Sequence, residues 1–255
     1  MKKRIMLTIA YDGTDYKGWQ IQPGESTIEG TVNEAVSRML EEDIHVIGAS
    51  RTDAGVHAEG AVAVFDTASP IPADKYSFVI NQALPDDIRV LSSKQIPDDF
   101  HPRKVPCRKT YEYRIYNGTF HLPTKRLYTH HVYGKLDVEA MNEAGEYFVG
   151  EHDFTSFMGA GGQALTTVRT IYDLGVRCEN GLTGQGRDRE IIISITGNGF
   201  LYNMVRIIAG TLIEVGQGRY CPEDVKAMLE AHDRTAAGQT APACGLCLVK
   251  YKYDI

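Results

Sequence analysis

The chain has 255 residues, 43% of them hydrophobic and 24% charged, a composition suited to a soluble globular protein with one large domain or two packed halves. No apolar run approaches the roughly 20 residues of a membrane span. The opening MKKRIMLTIAYDG has too short an apolar stretch, and no small-residue cleavage site, for a signal peptide; it reads as the first strand of a cytoplasmic protein. The formal charge of −6 by itself argues against a nucleic-acid partner.

Hydrophobic alternation predicts strands near 3–11, 44–48, 60–66 and 88–95. A helix is expected to begin at Ser26, where Ser26-x-x-Glu29 forms a capping box and Ile28, Val32, Ala35, Val36, Met39 and Leu40 recur at helical spacing. A second is expected over 73–84, with Tyr76, Val79, Ile80 and Ala83 inward and Pro85 stopping it. This β-α-β-β-α-β order fits a ferredoxin-like unit, with helices on one face of an antiparallel sheet. A boundary is expected near 100–107, where FHPRKVPCRK carries two prolines. The plan then recurs as a pattern, without a repeat of residues. Strands are predicted near 109–117, 168–178, 189–197 and 245–253, and helices near 137–149 and 199–214. An extra helix near 222–231 has Pro222 in its first turn. The predicted fold class is α+β: two ferredoxin-like halves, 1–104 and 105–255, sharing a mixed, mostly antiparallel central sheet whose helix-free face forms an open platform.

The charge is unevenly distributed. His101 to Lys135 holds eight Lys or Arg residues and one acid, Glu112, a local balance of +7. Tyr111, Tyr113, Tyr116, Phe120, Tyr128, Tyr133 and four histidines are interleaved with them. Cations neutralise phosphates and aromatic faces stack on bases, so the mixture suits RNA better than a membrane. A solvated strand face with core tyrosines explains it equally well.

Candidate chemistry lies in IHVIGASRTDAGVHAEGAVAVF. An apolar strand from Ile44 runs into small, polar residues and another strand follows from Ala61, so Asp53 falls in a loop at the end of a rigid element. A lone aspartate there is more often a turn or cap residue. Arg206 lies in NGFLYNMVRIIAGTLIEVG, which reads as a helix apolar almost all round. A buried guanidinium needs a carboxylate or phosphate, and Asp53 is a candidate partner; the alternative is an arginine that snorkels to solvent. In Lys109-Thr110-Tyr111-Glu112-Tyr113 the two tyrosines share a strand face, fit to hold a flat base or to fill a core. Cys244 and Cys247 form a C-x-x-C without a second pair of ligands, and read as structural cysteines.

In combination these residues resemble the tRNA pseudouridine synthase A family. Gly48-Ala49-Ser50-Arg51-Thr52-Asp53-Ala54-Gly55-Val56-His57 is similar to its signature, with Ser50 where glycine is common. Tyr11-Asp12-Gly13 with Gly18-Trp19-Gln20, Phe100-His101-Pro102-Arg103, Lys109-Thr110-Tyr111, His152 to Phe157, Asn203-Met204-Val205-Arg206, and Ala243 with Gly245-Leu246 follow in the family's chain order. The resemblance spans essentially the whole chain. It implies the pseudouridine synthase fold and conversion of uridine to pseudouridine at positions 38, 39 and 40 of the tRNA anticodon stem-loop. It also implies a homodimer with RNA lying across both subunits, and neither metal nor organic cofactor. Asp53 matches the essential aspartate. Arg206 matches the arginine that pairs with it and helps open the RNA; a cation so placed should keep the aspartate ionised. Tyr111 matches the tyrosine that stacks on the target uracil, and Arg51 an arginine that handles the flipped-out nucleotide. Arg103 and Lys109 lie in matched segments of the basic stretch and are candidate RNA contacts.

Other readings fit less well. An aspartyl phosphotransferase wants a second aspartate two residues from the first to hold magnesium, and Arg51 and Gly55 occupy those places. A glycosidase wants a second carboxylate, and none is evident. A non-catalytic RNA-binding protein explains the basic stretch but gives Arg51-Thr52-Asp53 and Arg206 no purpose.

Overall fold

The computed structural model describes residues 2–162, 164–180 and 188–253. In chain order the elements are β1 (Lys3–Tyr11), α1 (Ile28–Leu40), β2 (Ile47–Gly48), β3 (His57–Thr67), α2 (Tyr76–Ile80), β4 (Ile88–Ile96), β5 (Cys107–Asn117), β6 (His130–Val132), α3 (Val138–Glu146), β7 (Gly150–Asp153), β8 (Val168–Asn180), β9 (Arg189–Gly197), α4 (Met204–Gly216), α5 (Asp224–Ala231) and β10 (Leu246–Tyr253). The class is α+β, as the periodicities predict. The chain forms two compact units, one of Met1–Cys107 with Cys247–Ile255 and one of Arg108–Leu246.

In the first unit β1 lies antiparallel between β3 and β4, and β2 adds antiparallel to β3 at Ile47↔Val64. The spatial order β4-β1-β3-β2 is what a β-α-β-β-α-β chain produces when each helix crosses the same face. Strand alternation sends Ile5, Leu7 and Ile9, all fully buried, to one face. Met6, Val62, Val64 and Ile96 point to the other, where Phe100 and Tyr253 cover them. The Tyr253 hydroxyl donates to the Pro102 carbonyl at 2.9 Å, and its ring meets Phe100 edge-on with centroids 5.0 Å apart. This part of the face, expected as open platform, is therefore packed, because the proline-containing segment after β4 folds back over it.

Helix α1 starts later than Ser26-x-x-Glu29 suggests. Thr27 is the N-cap and its hydroxyl accepts from the Gly30 N–H at 3.3 Å, a contact of about 1 kcal/mol. Glu29 instead accepts from the Gln20 side chain and the Ile21 N–H. The helix expected over 73–84 narrows to Tyr76–Ile80. The Asn81 amide turns aside to bond both the Val90 N–H and carbonyl on β4, and Gln82 and Ala83 donate to carbonyls three residues back, so the end tightens.

In the second unit β5, β9, β8 and β7 pair antiparallel in that order, and β6 runs parallel to β5. Helix α3, capped by Asp137 accepting from the Ala140 N–H at 3.1 Å, packs on β8 and α4. Every residue of α4 except Arg206 is buried. The helix begins at Met204, not near 199, because Asn203 takes a left-handed conformation with φ 58°. Helix α5 begins two residues past Pro222, whose carbonyl accepts from the Val225 N–H. Among the described residues no helix is long and apolar enough to cross a membrane.

Candidate active site

The Asp53 loop joins β2 to β3 in the first unit. It is tied down on both sides of the carboxylate. The Ala49 N–H donates to the Val62 carbonyl at 2.8 Å, and the Thr52 carbonyl accepts from the Trp19 N–H at 3.1 Å. The Gly55 N–H reaches the Tyr16 carbonyl, and the Val56 N–H closes a turn onto the Asp53 carbonyl, each at 3.2 Å. Thr52 and Val56 are buried and Asp53 is half-buried between them. A short loop whose flanks are buried and bonded fixes the backbone from which its central side chain projects, as a reacting group requires.

The other predicted residues of this unit have distinct placements. Arg51 is exposed beside Asp53. Arg103 is also exposed, but its Nε donates to the Gly48 carbonyl at 2.7 Å, which brings it against the start of the Asp53 loop. His57, at the loop's end, is buried; its Nδ1 accepts from the Gly13 N–H at 3.1 Å and lies 3.1 Å from Asp12 Oδ1. One ring nitrogen cannot accept from the first and donate to the second together: Nδ1 bonds the Gly13 N–H when it carries no proton and Asp12 when it carries one.

Tyr111 and Arg206 lie in the second unit. Tyr111 pairs with Ile195 across β5 and β9, and its buried ring stands edge-on to Phe200 with centroids 5.3 Å apart and planes at 87°. Lys109, two residues earlier, is half-exposed opposite Gly197. Tyr113 shares the strand face but is a core residue: it is fully buried and its hydroxyl donates to the Pro242 carbonyl at 2.9 Å. Burial pushes its phenol well above the ordinary range. Tyr116 is also fully buried, stacked on His121.

Arg206 occupies the first turn of α4 rather than the middle of an apolar helix. Its Nε donates to the Ala241 carbonyl at 2.7 Å and its Nη1 to Asn203 Oδ1 at 2.9 Å, while its own carbonyl accepts from the Ala241 N–H at 3.1 Å. The pin explains why Asn203, at the N-cap position, makes no side-chain cap: its oxygen serves the guanidinium. The contacts of the Ala241 carbonyl with Arg206, and of the residues beneath Asp53 with its loop, are not legible in sequence, since no spacing shows that segments so far apart in the chain meet.

None of the five cysteines is in a disulfide. Cys244 points its thiol at the Thr129 carbonyl, 3.5 Å away, and burial raises its pKa. A Cβ on the next residue, Gly245, would stand 2.8 Å from the Tyr113 ring. Cys244 and Gly245 thus belong to the packing around Tyr113. Among the described residues no three His, Cys, Asp or Glu side chains are grouped to hold a metal ion.

Residues 7–103 and 144–254 match the family described as tRNA pseudouridine synthase. A protein of Ruminiclostridium cellulolyticum named tRNA pseudouridine synthase A is 48% identical over 251 residues, covering 98% of this chain and all of that one. A Caldicellulosiruptor bescii protein of the same name is 45% identical over the same shares. One from Clostridium perfringens, named tRNA pseudouridine synthase A 2, is 44% identical, again over 98% of this chain and all of that one. The matched segments hold the pinned loop around Asp53 and the anchored Arg206, and the relatives align through Tyr111 as well. The chain belongs to the tRNA pseudouridine synthase family.

Proposed function

We propose that the protein isomerises uridine to pseudouridine in the anticodon stem-loop of tRNA, at positions 38, 39 and 40. The reaction breaks the N1–C1′ glycosidic bond and joins C5 to C1′; C5 gives up its proton and N1 gains one, so the product is an isomer. The target must first leave the base stack, at a cost of a few kcal/mol. Bond breaking develops positive charge at the ribose and negative charge on the uracil. A carboxylate beside the ribose serves that step by covalent capture at C1′ or by proton removal at C2′. Asp53 takes that role. Tyr111 stacks on the uracil and offers its hydroxyl for removal of the C5 proton. Arg206 supplies the positive charge that complements the aspartate and helps open the RNA. Arg51, Arg103 and Lys109 contact the RNA.

The observation that carries this reading is the loop in which Asp53 is flanked by Thr52 and Gly55, both bonded to the segment Tyr16–Trp19. Family membership supports the reaction, and the two anchors on Arg206 support a fixed role for that guanidinium. The protein is proposed to act in the cytoplasm as a homodimer, with RNA lying across both subunits. Sedimentation equilibrium reads the subunit number.

The test is tritium release from tRNA carrying C5-tritiated uridine. The protein should release tritium, and Asp53→Asn should lower the rate by at least about 10⁴-fold while tRNA binding is retained, since Asn keeps the shape and loses the nucleophile or base. Near-normal release by Asp53→Asn would refute the assignment.

A further inference from the structure

Strand β1 ends against the Asp53 loop at Tyr11, a residue with no role in the reaction above. Strand β1 pairs with β3 in regular register down to Ile9, then shifts before Tyr11, and its register with β4 shifts between Thr8 and Ile9. Such bulges re-aim the side chain that follows. Tyr11, at the end of β1, is 5% exposed, and its hydroxyl meets the Thr52 hydroxyl at 2.8 Å; Thr52 is 7% exposed. The contact joins residues 41 apart in sequence, one of them adjacent to Asp53.

The chain after Tyr11 then runs along the loop. A Cβ on Gly13 would stand 2.0 Å from the Val56 carbonyl oxygen. Gly18 has φ +89°, and a Cβ there would lie 2.6 Å from the Thr52 oxygen and 3.1 Å from both the Asp53 carbonyl carbon and the Ala54 nitrogen. The backbone at residue 18 therefore lies against the peptides on both sides of Asp53. The next residue, Trp19, donates to the Thr52 carbonyl, so Thr52 is held by its backbone from Trp19 and by its side chain from Tyr11.

We infer that Tyr11 and Thr52 are positioning residues for the carboxylate of Asp53, their hydroxyl pair fixing the peptide from which it projects. The inference rests on Asp53 being the reacting carboxylate. Fixing that peptide matters because a group about 1 Å out of place loses on the order of a hundredfold in rate while binding persists. The pair acts as one device: removing either hydroxyl leaves Thr52 held by the Trp19 N–H without its tie to Tyr11, and removing the second then adds little.

The test measures single-turnover pseudouridine formation at saturating enzyme, tRNA affinity and Tm for Tyr11→Phe, Thr52→Val, the double variant, Thr52→Ser and Val36→Ala. Val36, fully buried in α1 of the same unit, is the control for lost stability without a lost hydroxyl. Each single hydroxyl deletion should slow the chemical step by about ten- to a hundredfold at unchanged tRNA affinity. The double variant should be no slower than the slower single, and Thr52→Ser should stay within about threefold of the parent. Val36→Ala should lower Tm without slowing the step. Parental rates in Tyr11→Phe and Thr52→Val, multiplicative losses in the double variant, or an equal loss in Val36→Ala would each overturn the inference. Should Tyr11→Phe fail to fold, Thr52→Val against Thr52→Ser decides. Asp53→Asn, run alongside, separates the two claims. If it turns over, the assignment of Asp53 itself falls; if it is inactive while both hydroxyl deletions are fully active, the positioning role alone falls.

Discussion

A guanidinium in the first turn of a helix meets the positive end of the helix dipole and sits among apolar neighbours, two penalties for one side chain. Arg206 offsets them with the Ala241 carbonyl and the Asn203 amide oxygen, which is why a sequence that predicts a costly buried charge corresponds to a half-buried, anchored one. The same scale explains Gly48 at the foot of the Asp53 loop. A Cβ there would stand 2.3 Å from Trp19 Nε1 and 2.5 Å from Cε2, and the indole is 1% exposed with nowhere to retreat. Gly48→Ala should cost about 1–3 kcal/mol of stability, lowering Tm by several degrees in thermal denaturation and slowing pseudouridine formation because Trp19 holds Thr52. An unchanged Tm would show that the indole shifts freely. The place of Asp53 in a loop between two strands was legible in sequence, because the apolar runs on either side bound it. Tyr11 and Thr52 were not, since an aromatic and a hydroxyl far apart in the chain give no sign that they touch.

At the level of elements, the segment around β6 is expected to respond to pH. His121 and His131 stack with centroids 5.0 Å apart, and His130 places a buried Nδ1 where it has no hydrogen-bond partner among the described residues. Burial first, then the neighbouring imidazoles, lowers the pKa of His130 and His121 below the ordinary histidine value. The folded state thus takes up these protons at lower pH than the unfolded chain, whose histidines titrate near about 6.5. The stability conferred by the neutral rings is complete above that pH and is lost as pH falls below it. Tm should therefore drop between pH 7.5 and pH 5.5, and His130→Gln should reduce the drop; an equal drop in the variant would assign the loss to other groups. Where the sequence carried strong periodicity the elements were legible: β1 and β9 fall where alternation places them, and α3 within its predicted span. Strands β6 and β7 were not foreseen, being three and four residues long and mostly polar, so that pairing with β5 and β8 makes them strands rather than any pattern of their own. The start of α4 was misplaced because the apolar run continues through Phe200 and Leu201, while the left-handed Asn203 that ends the turn is invisible to hydrophobic spacing.

For the molecule as a whole, a charge of −6 and a stretch at +7 coexist, and the second governs contact with a polyanion. Affinity for tRNA should fall steeply with salt, and replacing the exposed Arg126 and Lys135 by Ala should lower the slope of log Kd against log salt by between about one and two. An unaltered slope would place the phosphate contacts elsewhere. The repeated order of strands and helices predicts two halves, 1–104 and 105–255, and gives no sign that Cys247–Ile255 returns to the first unit, since a strand's sequence does not name its neighbour. That return has a consequence for biosynthesis. Strand β10 pairs with β3 at Cys247↔His57, beside the loop that presents Asp53. A ribosome adding about 5–20 residues per second needs on the order of ten seconds to make Arg108–Leu246 after Cys107. Throughout that interval the nascent polypeptide carries the Asp53 loop beside an unfinished sheet, and the start of β3 gains its last neighbour only when β10 arrives. Limited proteolysis of stalled translation intermediates should find residues 50–60 open to cleavage until β10 is complete, and earlier protection there would contradict this order of assembly.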